Sequence, residues 1–148
     1  MNTILVDTNV LIYAHDRDEG RKQELAIQVL RYLKLKEKGV LSTQCLFEFF
    51  SVTTRGRSSM LTVPDAAEQV ASLATAFLVL DVTSQIVLEA TRGVREHQLP
   101  YWDAQMWATA RLNQIPVIFS EDFNAGASLE GVRFVNPFAA DFAVEDWA

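Results

Sequence analysis

One cysteine, Cys45, is all that the 148 residues contain, so a disulfide framework is excluded and a reducing, cytoplasmic setting is expected. Long apolar runs are also missing. No stretch approaches the roughly 20 residues of a membrane span, and Asp7 interrupts the only apolar run near the N-terminus, which leaves neither a secretory signal nor a membrane partner to expect. Basic residues are outnumbered, 13 Lys+Arg against 19 Asp+Glu, for a net charge of −6. That balance argues against binding nucleic acid through a broad basic face. It leaves room for an acidic site that works through a bound cation. Histidine is scarce too: His15 and His97 follow no metal spacing, and a catalytic histidine pair is not expected. Cys45 has no base beside it and reads as a small buried apolar residue. No internal repeat, low-complexity tract or linker is present.

What the chain does have is apolar material, 49% hydrophobic and 10% aromatic, which excludes disorder. The length suits a single domain over 1–148. Residues 138–148 form a C-terminal tail expected to pack loosely on it. The run at 3–6 is apolar and β-branched without alternation, as a strand buried on both faces should be. Similar short runs occur at 40–41, 77–80, 116–119 and 132–135.

Between these runs the helical signals are clear. A short helix through Val10, Leu11 and Ala14 precedes a solvated loop at 16–20. Ala26, Val29, Leu30 and Leu33 keep helical spacing within 21–38, with Gly39 placed as a C-cap. Further helices are expected at 44–55, stopped by Gly56, and at 64–75, started by Pro64. Another is capped by Thr83 and carries Val87, Ala90 and Val94. The next is opened by Leu99-Pro100 and carries Ala104, Trp107, Ala108 and Leu112. Short strands separated by helices predict an α/β fold, a central and mostly parallel sheet with helices on both faces. Phe47, Phe49, Phe50, Trp102 and Trp107 are expected in the core, although Phe47 falls off the main apolar face and can pack against a second subunit or partner.

In such a sheet, ligands bind beyond the carboxyl ends of the strands. Asp7 and Asp122 directly follow strands, and Glu48 and Asp103 sit near helix starts. Each has an ordinary explanation alone. Asp7 suits a helix N-cap or turn, and Asp103 complements a helix dipole. Glu48 shares a helical face with Gln44, Ser51 and Arg55, so solvent exposure accounts for it; Asp122 fits a polar loop with Glu121 and Asn124. Converging, the four form an all-oxygen pocket suited to Mg²⁺ or Mn²⁺.

The joint pattern carries a resemblance. Val6-Asp7-Thr8-Asn9-Val10, Glu48, Tyr101-Trp102-Asp103-Ala104 and Ser120-Glu121-Asp122-Phe123, followed by the segments Gly131-Val132-Arg133 and Asn136-Pro137-Phe138, together resemble the PIN-domain ribonucleases, in particular their VapC-like toxin branch. The resemblance covers nearly the whole chain and implies the three-layer PIN-like fold. It also implies that Asp7, Glu48, Asp103 and Asp122 are catalytic carboxylates holding one or two metal ions, with Thr8, Asn9 and Ser120 supporting them. At the fourth acid either Glu121 or Asp122 can face the metal, and Asp122 is preferred. Thr53, Thr54, Arg55 and Arg57, beyond Glu48, are candidates for the RNA backbone, although a solvated helix end explains them as well.

The implied function is a metal-dependent endoribonuclease toxin that hydrolyses RNA with metal-activated water, is restrained by a small protein antitoxin and forms a homodimer. A housekeeping RNA-processing nuclease and a non-catalytic interaction domain on the same scaffold are the alternatives. A phosphotransfer receiver needs paired acids before Asp7, and a haloacid-type phosphatase needs an Asp where this chain has Asn9; neither pattern is present.

Overall fold

The central strand, Ile4–Val6 (β1), has no exposed residue, which is why its sequence shows no polar alternation. The computed structural model describes residues 3–122 and 126–148; Phe123 and Asn124 of the sequence reading lie outside them. After β1 come α1 (Thr8–Tyr13), α2 (Gly20–Lys36), β2 (Gly39–Ser42) and α3 (Thr43–Thr53). Then follow α4 (Val63–Ala76), β3 (Leu78–Leu80), α5 (Ser84–His97), α6 (Tyr101–Leu112) and β4 (Val117–Phe119). A two-residue strand β5 (Ser128–Leu129), β6 (Val132–Val135) and a 3₁₀ turn over Val144–Asp146 complete the chain.

The sheet runs in the order β3-β2-β1-β4-β6-β5, parallel throughout except for β5 against β6. Winding from β1 through β2 to β3 proceeds one way, and the crossover from β3 to β4 returns past β1. Right-handed crossovers in opposite directions place their helices on opposite faces. The expected α/β architecture is therefore the one observed. Its reversal of winding falls between β1 and β4, where open sheets bind ligands.

Local signals explain most element ends. Ser42, Thr62 and Thr83 each accept a backbone N–H from three residues ahead and cap α3, α4 and α5. Gly39 does not cap α2. Glu37, in the left-handed conformation at φ 54°, ends that helix, and Gly39 begins β2. A Cβ on Gly39 would lie 2.7 Å from Phe77 Cε1, so the glycine serves close packing. On α5 the buried stripe is Ile86, Ala90 and Gly93, while Val87 and Val94 are exposed. Gly93 lets α5 approach the Trp107 ring, where a Cβ would meet Cε3 at 2.9 Å.

Two other expectations change. Of the aromatics expected in the core, only Phe49 and Trp107 are buried; Phe50 is half-buried, and Trp102 is 53% exposed beside Phe47 at 51%, the latter already off the apolar face of its helix. Trp102 and Phe47 face each other edge-on, with ring centroids 6.4 Å apart. The tail is not loosely packed. Phe138 is buried, Phe142 meets Phe119 edge-on at 5.2 Å, and the Arg133 guanidinium lies 4.9 Å above the Trp147 ring. Its aromatic residues supply the apolar surface that anchors it.

Candidate metal centre

β1 and β4 are neighbours in register, Val6 opposite Phe119, so the residues following them emerge side by side. Asp7 follows β1 and caps α1, its Oδ1 accepting the Thr8 N–H at 2.7 Å. The turn-capping explanation of Asp7 thus holds, and it accounts for only one of the two oxygens. Oδ2 accepts from Ser120 Oγ at 2.7 Å. Ser120 Oγ also accepts the Asp122 N–H at 3.2 Å, which ties the end of β4 to both acids.

Asp103, in the first turn of α6, completes the cluster. One carboxylate oxygen from each of Asp7, Asp103 and Asp122 lies within 4.8 Å of the others. Burial lifts the Asp7 carboxyl to about 7, against the lowering hydrogen bonds from Ser120 and Thr8, and the charges of Asp122 and Asp103 add to the rise. Burial raises Asp103 to about 6, with Asp122 and Glu48 contributing. Such shifts are what crowded, partly dehydrated carboxylates show without a counter-charge. Among the described residues no Lys or Arg pairs with any of the three.

Glu48 stands beside this trio without joining it as a fourth equal member. Its Oε1 accepts from Thr8 Oγ1 at 3.0 Å and from Gln44 Nε2 at 3.1 Å, so the solvated-face explanation fails. Thr8 therefore connects Asp7 to Glu48 through its backbone and side chain respectively. Asn9 makes no such link: both of its side-chain amide atoms are buried and have no hydrogen-bond partner among the described residues. Glu121 turns elsewhere, accepting from the Tyr13 hydroxyl at 2.6 Å and pairing with Lys22 at 2.6 Å.

The remaining candidates separate cleanly. Thr53 and Thr54 donate to the carbonyls of Phe49 and Phe50 within α3, which removes their hydroxyls from phosphate binding. Arg55 and Arg57 are exposed, and among the described residues no ion pair joins them to the carboxylates. Cys45 is wholly buried, its thiol donates to the Val6 carbonyl at 3.2 Å, and burial pushes it up to about 12. His15 lies against Phe49 while His97 bonds to Glu130 at 2.7 Å, so they form no pair.

Residues 4–126 match the family model for the PIN domain. This chain belongs to the PIN domain family. Solved structures share the fold across its length. The DNA-bound VapBC complex of Salmonella typhimurium superposes with a TM-score of 0.64 at 17% identity, covering 93% of this chain and 99% of that one. A toxin-antitoxin complex from Klebsiella pneumoniae gives 0.66 at 21%, covering 91% and 98%. Mycobacterium tuberculosis VapC20, described as a sarcin-ricin loop cleaving toxin, gives 0.64 at 23%, covering 86% and 98%. No curated protein matches the sequence significantly.

The donor set of this PIN domain fits a hard divalent cation. It is made of oxygen alone, it carries excess negative charge, and its two raised carboxyls are the ones a cation would return to the ionised form. Gln44 bonds to Glu48 and Gln105 to Gln44, contacts that no motif in the sequence indicates. The usable signal was the four-residue interval between Gln44 and Glu48 on one helix. Among the described residues no helix is long and apolar enough to cross a membrane.

Proposed function

We propose that this PIN domain is a metal-dependent endoribonuclease and the toxin of a toxin-antitoxin pair. The observation that carries the proposal is the convergence of Asp7, Asp103 and Asp122 at the point where the sheet reverses its winding. These three would hold one or two Mg²⁺ or Mn²⁺ ions, with Glu48 beside them as the fourth carboxylate of the site. Bound there, a divalent ion supplies a water of lowered pKa and neutralises phosphate charge. Ser120 fixes the Asp7 carboxylate and the Asp122 backbone, and Thr8 fixes Glu48. Asn9 is the third residue of this reading that supports the carboxylates, and Arg55 and Arg57 meet the RNA backbone beyond the site.

The toxin assignment draws on the structural relatives. Two are toxin-antitoxin complexes and one cleaves the sarcin-ricin loop, so a small protein antitoxin and an RNA substrate are the partners this reading adopts. The exposed Phe47–Trp102 pair supplies apolar area for a homodimer, in the cytoplasm.

End-group analysis of RNA cut by the purified protein tests the mechanism. Water activated at a metal leaves a 5′-phosphate and a 3′-hydroxyl, and a chelator abolishes cleavage. Cyclic 2′,3′-phosphates formed in the presence of chelator would exclude it.

A further inference from the structure

Gln44 is 1% exposed, and its amide is engaged on both sides. Nε2 donates to Glu48 Oε1 and to the Trp102 carbonyl, each at 3.1 Å. Oε1 accepts from Gln105 Nε2 at 3.0 Å, and Gln105 Oε1 accepts from the Tyr101 hydroxyl at 2.9 Å. The direction of the chain is forced. A carboxylate and a peptide carbonyl only accept, so the Gln44 nitrogen must face them and its oxygen must face Gln105. The Gln105 nitrogen is then committed to Gln44, and its oxygen to Tyr101.

One nitrogen thus holds Glu48 on α3 and, on α6, the carbonyl of the residue before Asp103. Two buried glutamines are a costly way to fill space that apolar side chains of similar size would fill without desolvation. Their use here coincides with the gap between two acids of the site. Resting on the function proposed above, we infer that Gln44 is a positioning residue that sets the spacing of Glu48 and Asp103, and that Gln105 and Tyr101 keep its amide in the required orientation.

The test uses Gln44→Leu and Tyr101→Phe, the second retaining the ring that packs on the core. Three quantities are measured for each: melting temperature in chelator, the Mn²⁺ concentration at the midpoint of the thermal shift, and kcat and KM on RNA. The expected result is a Mn²⁺ midpoint raised roughly 10–100-fold in Gln44→Leu, with kcat reduced and KM little changed. Tyr101→Phe moves the same quantities in the same direction by less, and decides the matter if Gln44→Leu does not fold. Variants that melt lower in chelator but keep the wild-type Mn²⁺ midpoint and kcat would reduce the chain to packing. A change confined to KM would make Gln44 an RNA contact instead. A wild-type protein that binds no Mn²⁺ and cuts no RNA overturns the reading of the site itself, and the inference with it.

Discussion

Ser120 Oγ donates a 2.7 Å hydrogen bond to Asp7 Oδ2 across 113 positions of sequence. Both groups are buried, so the bond is sheltered from water and holds the carboxylate in one orientation. Replacing Ser120 by Ala removes this donor and also the acceptor of the Asp122 N–H. Mg²⁺ affinity, read from the midpoint of a thermal-shift titration, should fall roughly 10–100-fold, with cleavage falling alongside. An unchanged midpoint would leave Ser120 as ordinary loop structure.

Asp103→Asn keeps the shape of the side chain and deletes one of the crowded charges. In chelator this variant should melt at or above the wild-type temperature, because repulsion within the cluster is relieved. Its Mg²⁺-induced rise should shrink, since a ligand of the folded state stabilises in proportion to its binding. If Asp103 only complemented the α6 dipole, the variant would lose about 0.3–1 kcal/mol and keep the full Mg²⁺ response. Paired melts with chelator and with Mg²⁺ separate the two outcomes.

The raised carboxyls give the metal-free protein a pH dependence of definite sign. Asp7 has an ordinary value of 3.8 and a folded value of about 7; between these the folded chain keeps a proton that the unfolded chain has released. Stability in chelator should therefore fall as pH rises from about 5 to about 7 and then level off, with Asp103 acting in the same sense up to about 6. His15, lowered by burial, works in the opposite direction. The carboxylates of Glu89, Glu121 and Glu130, all lowered, matter only at more acid pH. Urea midpoints at pH 5 and pH 8 should show the decline in wild type and a flatter response in Asp7→Asn. A midpoint that climbs with pH in wild type and is unaltered by Asp7→Asn would contradict the crowding of these acids.

Two neighbouring positions should respond oppositely to exchange of their residue types. Gly39→Ala forces a Cβ against the Phe77 ring and Leu33, and should destabilise by about 1–3 kcal/mol. Glu37→Gly places the permissive residue where φ is 54°, and should stabilise by about 1 kcal/mol. Denaturant titration of both variants checks the pair, and a destabilised Glu37→Gly would show that the glutamate side chain has a structural role at the cap.

In cells, the toxin reading predicts growth arrest when the wild-type chain is expressed alone. That reading also requires a small antitoxin protein encoded beside it, whose co-expression should restore growth, and Asp103→Asn should not be toxic. Normal growth despite abundant protein that cleaves RNA in extracts would favour a housekeeping nuclease.

Much of this architecture can be read from the chain because the signals are local. The runs around Leu5 and Ile118 are apolar without alternation, as doubly covered strands must be, and Asp7 and Asp122 follow them where a parallel sheet exposes its ends. What escaped depends on contacts between distant segments. Asp122 is preferred over Glu121 from the resemblance alone; the physical reason, that Lys22 and Tyr13 engage Glu121, lies on the other side of the sequence. Gln44 and Gln105 look like ordinary helical amides until α3 and α6 are brought together. Trp102 resembles core by composition, and its exposure follows from its place at the start of α6 beside Phe47. The two residues of β5 are too few to show any period.

The placement of β4 beside β1 has a consequence during synthesis. The first carboxylate, Asp7, leaves the ribosome 113 residues before Ser120, and Ser120 and Asp122 must both be free before β4 can dock. A nascent chain therefore carries Asp7, Glu48 and Asp103 without a closed acidic cluster for as long as the strand that delivers the last acid is still being made. Strand order thus delays the completed site until β4, which follows the other three acids in the chain, has been synthesised.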